Sequence, residues 1–173
     1  MKTSFAALLV CLGMVGCSTP SPTPMTQSAA SPSAAEAKKI TSIGVVHATA
    51  NPVQIINGSA ELVVTLDIDN GYHVNANPPT FPYLKPTELV ISPKEGFSAS
   101  TVTYPPAVTR KFPFAEKPLA VYEGHAELKS TIRASGAATG EHSLPAVLKV
   151  QACDEQVCYP PGQIELNISV LGK

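Results

Sequence analysis

Beyond its first seventeen residues this chain has only two cysteines, and that scarcity organises most of what the sequence says. It has no run of Lys and Arg. With a formal net charge of −1 and no basic cluster to grip a phosphate backbone, no nucleic acid is expected as a partner. A Gly-rich phosphate loop, a metalloprotease helix motif and a G-x-S-x-G elbow are all missing, which removes the common nucleotide-binding and hydrolase signatures. The histidines, His47, His73, His125 and His142, are scattered, and none lies at ligand spacing from a cysteine, so neither a metal nor another cofactor is expected. No segment carries a helical apolar stripe with caps, and no internal repeat is present.

What is there begins with an export signal. Lys2 supplies a positive start, and Phe5 to Val15 form an apolar stretch too short for a good membrane span. It ends at Met14-Val15-Gly16-Cys17, which resembles a bacterial lipobox, where the cysteine becomes the acylated first residue of the mature protein. On that basis residues 1–17 are a lipoprotein signal peptide, Cys11 is discarded and Cys17 is spent on lipid; the alternative is an ordinary signal peptide cleaved farther along. Ser18, rather than Asp, follows the acylated position, which favours the outer membrane by analogy with enteric bacteria. The expected location is therefore the periplasm, with a lipid anchor in the membrane. Residues 18–38 are mainly Ser, Thr, Pro and Ala, too poor in large apolar groups to offset the cost of ordering, and are expected to be a flexible linker. Fully extended at roughly 3.1 Å per residue, it would reach about 65 Å.

From residue 39 to 173 the character changes to one compact domain with the periodicity of strands. Ala60 to Asp69 alternates apolar and polar residues over its second half. Comparable runs occur at Ile40–Ala48, Thr87–Ser92, Ser98–Tyr104, His125–Ala134, Ser143–Ala152 and Gln163–Val170. Turn signals such as Asn57-Gly58, Asn70-Gly71 and Pro160-Pro161-Gly162 lie between them. Seventeen prolines fit a fold whose strands they punctuate. About seven short strands in a domain of this size imply an all-β fold, an immunoglobulin-like antiparallel β-sandwich.

The exported domain then carries one isolated pair, Cys153 and Cys158, at C-x4-C spacing and in a compartment where thiols can be oxidised. Such a pair is either a structural clip or a redox centre. The two cysteines lie between the last two expected strands, where a hairpin would bring their Cα atoms to roughly 4.5–5.5 Å, a span a disulfide can bridge. Closing so small a loop contributes only on the order of 2 kcal/mol. A bridge between sheets would stabilise more, so the short span favours redox use without settling it. Asp154 and Glu155 adjoin Cys153, and no cationic residue lies within the loop. Negative neighbours disfavour thiolate, so a partner's low-pKa thiolate is the expected attacker, and a carrier fits better than an autonomous oxidant.

Gln151-Ala152-Cys153-Asp154-Glu155-Gln156-Val157-Cys158-Tyr159-Pro160-Pro161, with Gly71-Tyr72-His73-Val74-Asn75-Ala76-Asn77 and Val121-Tyr122-Glu123-Gly124, resembles the N-terminal periplasmic domain of the DsbD thiol:disulfide interchange family. The resemblance covers nearly all of 40–173. It implies an immunoglobulin-like sandwich whose cysteine pair takes electrons from a thioredoxin-like donor and passes them to periplasmic thioredoxin-fold acceptors, an activity of the protein-disulfide reductase kind. Cys153 and Cys158 match the redox pair, with Cys158 the one exposed to partners. Arg110-Lys111-Phe112-Pro113-Phe114-Ala115-Glu116 matches a cap loop, with Phe114 the expected cap and Phe112 the second choice; ordinary core packing is the alternative for either. His73 and Asn75 fall where the enteric form has tyrosines beside the active site, and Tyr159 adjoins the pair as a packing residue. DsbD continues into a multi-helix membrane domain and a thioredoxin-like domain, whereas this chain stops at Lys173 without a C-x-x-C of its own. The expectation is a stand-alone, lipid-tethered relative; the alternative is a non-enzymatic binding or scaffold sandwich with a structural hairpin disulfide.

Overall fold

The computed structural model describes residues 40–135 and 139–172, so the expected signal peptide with Cys17 and the linker at 18–38 lie outside the described residues. Twelve strands occur among those described: β1 (Val46–Ala50), β2 (Val53–Gln54), β3 (Ser59–Ile68), β4 (His73–Asn75), β5 (Glu88–Ile91), β6 (Phe97–Ala99), β7 (Val108–Arg110), β8 (Leu119–Tyr122), β9 (His125–Ala134), β10 (Gly140–Val150), β11 (Ala152–Cys153) and β12 (Gly162–Gly172). They form three four-stranded sheets, ordered β1-β3-β9-β6, β2-β12-β10-β5 and β11-β4-β8-β7. Pairing is antiparallel except between β12 and β2. The architecture is an immunoglobulin-like antiparallel sandwich with a small third sheet at one end.

Period-two alternation builds the core. Leu62, Val64, Leu66 and Ile68 of β3 point inward, as do Ala126, Leu128 and Ile132 of β9, and the register sets Val64 opposite Leu128 and Leu66 opposite Ala126. From the second sheet, Leu144, Ala146, Leu148 and Val150 of β10 and Ile168 and Val170 of β12 meet them in one continuous apolar cluster. The Asn57-Gly58 signal is a two-residue hairpin loop with both residues at positive φ, 54° and 80°, a conformation suited to Asn and Gly.

Local chemistry explains where strand boundaries depart from the periodicity. The Ile40–Ala48 run does not form one strand: Ser42–Gly44 makes a 3₁₀ turn and β1 starts at Val46. The turn buries the Ser42 hydroxyl, which donates to Pro160 O at 2.6 Å and accepts from Ala152 N at 3.0 Å. The Ser98–Tyr104 run is also broken. Ala99 pairs with Ile132 and Thr103 with Lys129, so four steps on one strand face three on the other, a bulge centred near Ser100. There Ser100 Oγ accepts the Thr131 N–H. Pro145 lies inside β10 rather than punctuating it. Its carbonyl accepts from Ser92, just past the end of β5, so the N–H it lacks is on the β5 side at that strand's end and not on the side of β12.

The third sheet has two covered faces. Val74, Tyr122 and Ala152 point into the main core. Leu119 and Val121 point the other way, onto a second cluster with Phe112, flanked by Phe81, Leu84 and Ala115. This outer face carries the cysteine pair.

Candidate functional site

Beyond Val150, β10 leaves the second sheet at Gln151 and the chain continues as β11 in the third. Cys153 at its end pairs with His73 of β4 on one side and with Cys158 on the other. Tyr159 N donates to Ala152 O at 2.8 Å and Asp154 N to Val157 O at 2.9 Å, which makes Cys153 and Cys158 a non-hydrogen-bonded antiparallel pair. Such pairs bring side chains closest. The two residues form a disulfide with a Cα–Cα separation of 3.9 Å, shorter than the 4.5–5.5 Å expected from an open hairpin.

Asp154 braces the loop. Its Oδ1 accepts from the backbone N–H groups of Gln156 and Val157 at 2.7 and 2.8 Å, closing an Asx-type turn. Its Oδ2 accepts a short hydrogen bond from the Tyr159 hydroxyl. The shared bond holds the Asp154 carboxyl below its ordinary range and pushes the Tyr159 phenol up to about 12. Tyr159 also packs at a tilt on Tyr72, with ring centroids 6.1 Å apart. Asp154 thus belongs to the loop's scaffold, and so does Tyr159.

Gln151 and Asn75 fasten the hairpin to the sheet from beneath. Gln151 Oε1 accepts from Asn75 Nδ2 at 3.2 Å and from Lys85 N at 3.1 Å, while its Nε2 donates to Tyr159 O at 3.3 Å. Asn75 Nδ2 also donates to Lys85 O at 3.1 Å, and the Asn75 carbonyl accepts from the Thr87 hydroxyl at 2.8 Å. Asn75 therefore anchors neighbouring loops. Ser42 completes the attachment by bridging Ala152 to Pro160, the residues flanking the cysteine hairpin. Sequence reasoning assigned no role to Gln151 or Ser42; each is a polar residue whose partners lie far along the chain, which no local spacing reveals.

An aromatic stack lies beside the pair. The His73 ring lies 4.0 Å from Phe112 at 17°, and Phe112 lies 5.4 Å from Phe114, also at 17°. Phe112 is 2 % exposed and packs in the second apolar cluster, whereas Phe114 is 41 % exposed. Phe114 lines a cavity of about 280 Å³ with Tyr83, Leu84, Val157 and Cys158. The two cysteines differ in the same sense: Cys153 is 0 % exposed, and Cys158 is half-buried at this cavity's wall.

The loop itself holds no cation, but the sheet beside it does. Arg110 Nε donates to Glu123 Oε1 at 2.7 Å, and these two residues, with His73, Asp69 and Glu155, line a polar cavity of about 190 Å³. His73 is 2 % exposed, and its Nε2 has no hydrogen-bond partner. Burial holds the imidazole below its ordinary value of 6.5, against the pull of Glu123 and Asp154 and with the help of Arg110. Among the described residues, no group of three or more His, Cys, Asp or Glu is arranged to hold a metal ion, and no helix is long and apolar enough to cross a membrane.

A sandwich that presents one disulfide, with a buried and a half-buried cysteine, on a short braced hairpin has the layout that thiol–disulfide exchange needs. The chain belongs to the family described as thiol:disulfide interchange protein DsbD, N-terminal, whose model matches residues 45–169. Membership implies partners that bring a thiol or a disulfide. Among solved structures, the reduced N-terminal domain of DsbD from Neisseria meningitidis is similar at 20 % identity and a TM-score of 0.45, over 74 % of this chain and 86 % of that one. The N-terminal periplasmic domain of ScsB from Proteus mirabilis is similar at 16 % identity and a TM-score of 0.50, over 71 % of this chain. The match spans 44 % of the ScsB chain, less than half its length. No curated protein matches the chain.

Proposed function

We propose that this domain relays reducing equivalents between thioredoxin-fold partners in the bacterial periplasm through Cys153 and Cys158. The observation that carries this reading is the unequal exposure of the two cysteines, with Cys153 buried in the sheet and Cys158 half-buried on the wall of the cavity that Phe114 also lines. A donor thiolate attacks Cys158 Sγ, the Cys153–Cys158 bond breaks, and Cys153 leaves with the electron pair and gains a proton. The donor's second thiol then attacks its own sulfur in the mixed disulfide and frees Cys158, so the donor is oxidised and the domain reduced by two electrons. In the second half, the Cys158 thiolate attacks an acceptor disulfide, and Cys153 resolves the adduct by attacking Cys158 Sγ. The acceptor leaves as a dithiol. Phe114 is the cap on this path and Phe112 its buried base, with His73, Asn75 and Tyr159 as the surround. Residues 1–17 direct export, acylated Cys17 anchors the protein, outer membrane preferred, and 18–38 tethers the domain that begins at 39.

The test uses trapping. Cys153→Ser removes the resolving sulfur and should accumulate a mixed disulfide with a thioredoxin-fold protein of the same periplasm, identified by mass spectrometry, while Cys158→Ser traps little. If both folded variants trap nothing, the pair is a structural clip in a binding or scaffold domain. Intact mass of the native protein, measured without reduction, should show an acylated Cys17; an unmodified Cys17 in the mature chain removes the anchor from the reading.

A further inference from the structure

A row of opposed residues crosses the outer face of the third sheet. Cys158 pairs with Cys153, and Cys153 with His73. Val74 pairs with Tyr122, so continuing that register by one residue sets Glu123 opposite His73. Directly opposed side chains share a face, with Cβ atoms about 4.5–5.5 Å apart. The row therefore reads carboxylate, imidazole, buried sulfur, accessible sulfur. We infer that His73 carries the proton of Cys153 during exchange, removing it when Cys153 attacks and returning it when Cys153 leaves.

This inference rests on the exchange reading above. Cys153 has no surface of its own, and a partner seated over Cys158 would exclude water from the near side as well. A thiol must still lose its proton to become a nucleophile, and a departing thiolate must regain one. Buried polar nitrogens almost always have a partner, yet His73 Nε2 has none. The ring also lines the polar cavity of Asp69, Arg110, Glu123 and Glu155, which shares no residue with the Phe114–Cys158 cavity. A proton can thus pass to solvent through this second cavity while a partner occupies the first. The charges facing His73 suit a proton carrier. Glu123 and Asp154 stabilise a transient imidazolium, and Arg110 together with burial keeps the resting ring neutral. Stacking on Phe112 fixes the ring plane. Asp154 is a poorer base, since Tyr159 and two backbone N–H groups already occupy it.

The step balances. In the reduced domain the Cys158 thiolate attacks a disulfide RS–SR, forming Cys158–S–SR and releasing RS⁻. Neutral His73 takes the Cys153 proton, Cys153 Sγ attacks Cys158 Sγ, and the second RS⁻ leaves with the electron pair. The imidazolium then gives its proton to water in the polar cavity. Two electrons pass to RS–SR.

The reduced mature protein is mixed with the chromogenic disulfide dithiobis(nitrobenzoate), which releases one coloured thiolate in each of the two steps. In the wild type the second phase should rise with pH through an inflection below about 6.5, the ordinary histidine value. His73→Gln should slow that phase by about 10²-fold near neutral pH and abolish the inflection. His73→Phe, which keeps a ring on Phe112 but no titrating nitrogen, should do the same, so a fault in packing is told apart from loss of the base. Second phases matching the wild type in rate and pH profile, in either variant that folds, overturn the role of His73 and leave the exchange reading standing. If instead Cys158→Ser completes a first phase as fast as Cys153→Ser does, the exchange reading fails and takes this inference with it.

Discussion

Truncating Phe114 to alanine distinguishes a lid over the disulfide from an ordinary packed aromatic. Phe114 is 41 % exposed, and its ring rests on Phe112 rather than inside a closed cluster. Removing it leaves no sealed cavity, so the loss is confined to the buried part of the side chain, about 1–2 kcal/mol. Phe112 is the contrast: enclosed with Leu119 and Val121, its truncation should cost about 3–5 kcal/mol. The stack that holds Phe114 down is worth about 0.5–1.5 kcal/mol. If that contact closes access to Cys158, losing it raises the open fraction, and with it the rate of reduction by dithiothreitol, roughly 2- to 13-fold. The assay pairs urea unfolding with the reduction rate of the oxidised domain for both variants. Reduction of Phe114→Ala at the wild-type rate would show that the ring covers nothing. A loss of stability as large as that of Phe112→Ala would place Phe114 in the core instead.

The shared bond between Tyr159 and Asp154 predicts that Asp154→Asn lowers the Tyr159 phenol from about 12 towards its ordinary value of 10.0, read by ultraviolet titration of the phenolate. A carboxyl held below its unfolded value stabilises the fold above that value and loses the contribution as pH falls through the folded one. The wild-type hairpin should therefore loosen only below about pH 4, and the Asn variant should lack that acid step. Ser42→Ala strands the Ala152 N–H and the Pro160 carbonyl and should cost about 1–3 kcal/mol in urea unfolding; a neutral outcome would mean that water replaces the hydroxyl.

The long strands were legible because each, at ten residues or more, is long enough to show several turns of alternation, as in β3, β9, β10 and β12. The site was less so. Its sheet is made of β4, β7, β8 and β11, each two to four residues long, too short for a period of two to show, and none was expected as a strand of its own. Motif resemblance brought His73, Asn75, Phe112 and Phe114 near the pair, but not their geometry. Register alone sets His73 opposite Cys153, and register cannot be read from a three-residue strand. The loop holds no cation, as its sequence says, but Arg110 stands beside His73 from a strand more than forty residues earlier in the chain, which loop composition cannot reveal.

The division between long and short strands also has a functional consequence. A carrier must stay folded with its disulfide open as well as closed. Here the disulfide closes a loop of about six residues, worth on the order of 2 kcal/mol. The hairpin backbone is held independently by the Tyr159–Ala152 and Asp154–Val157 bonds, by the Asp154 turn, and by Gln151 and Ser42 at its base. The main apolar cluster, built by β3, β9, β10 and β12, includes neither cysteine. Opening the bond therefore removes one cross-link from a loop that other contacts continue to hold. Stability resides in the two large sheets, and the small sheet is left to position Cys153 and Cys158.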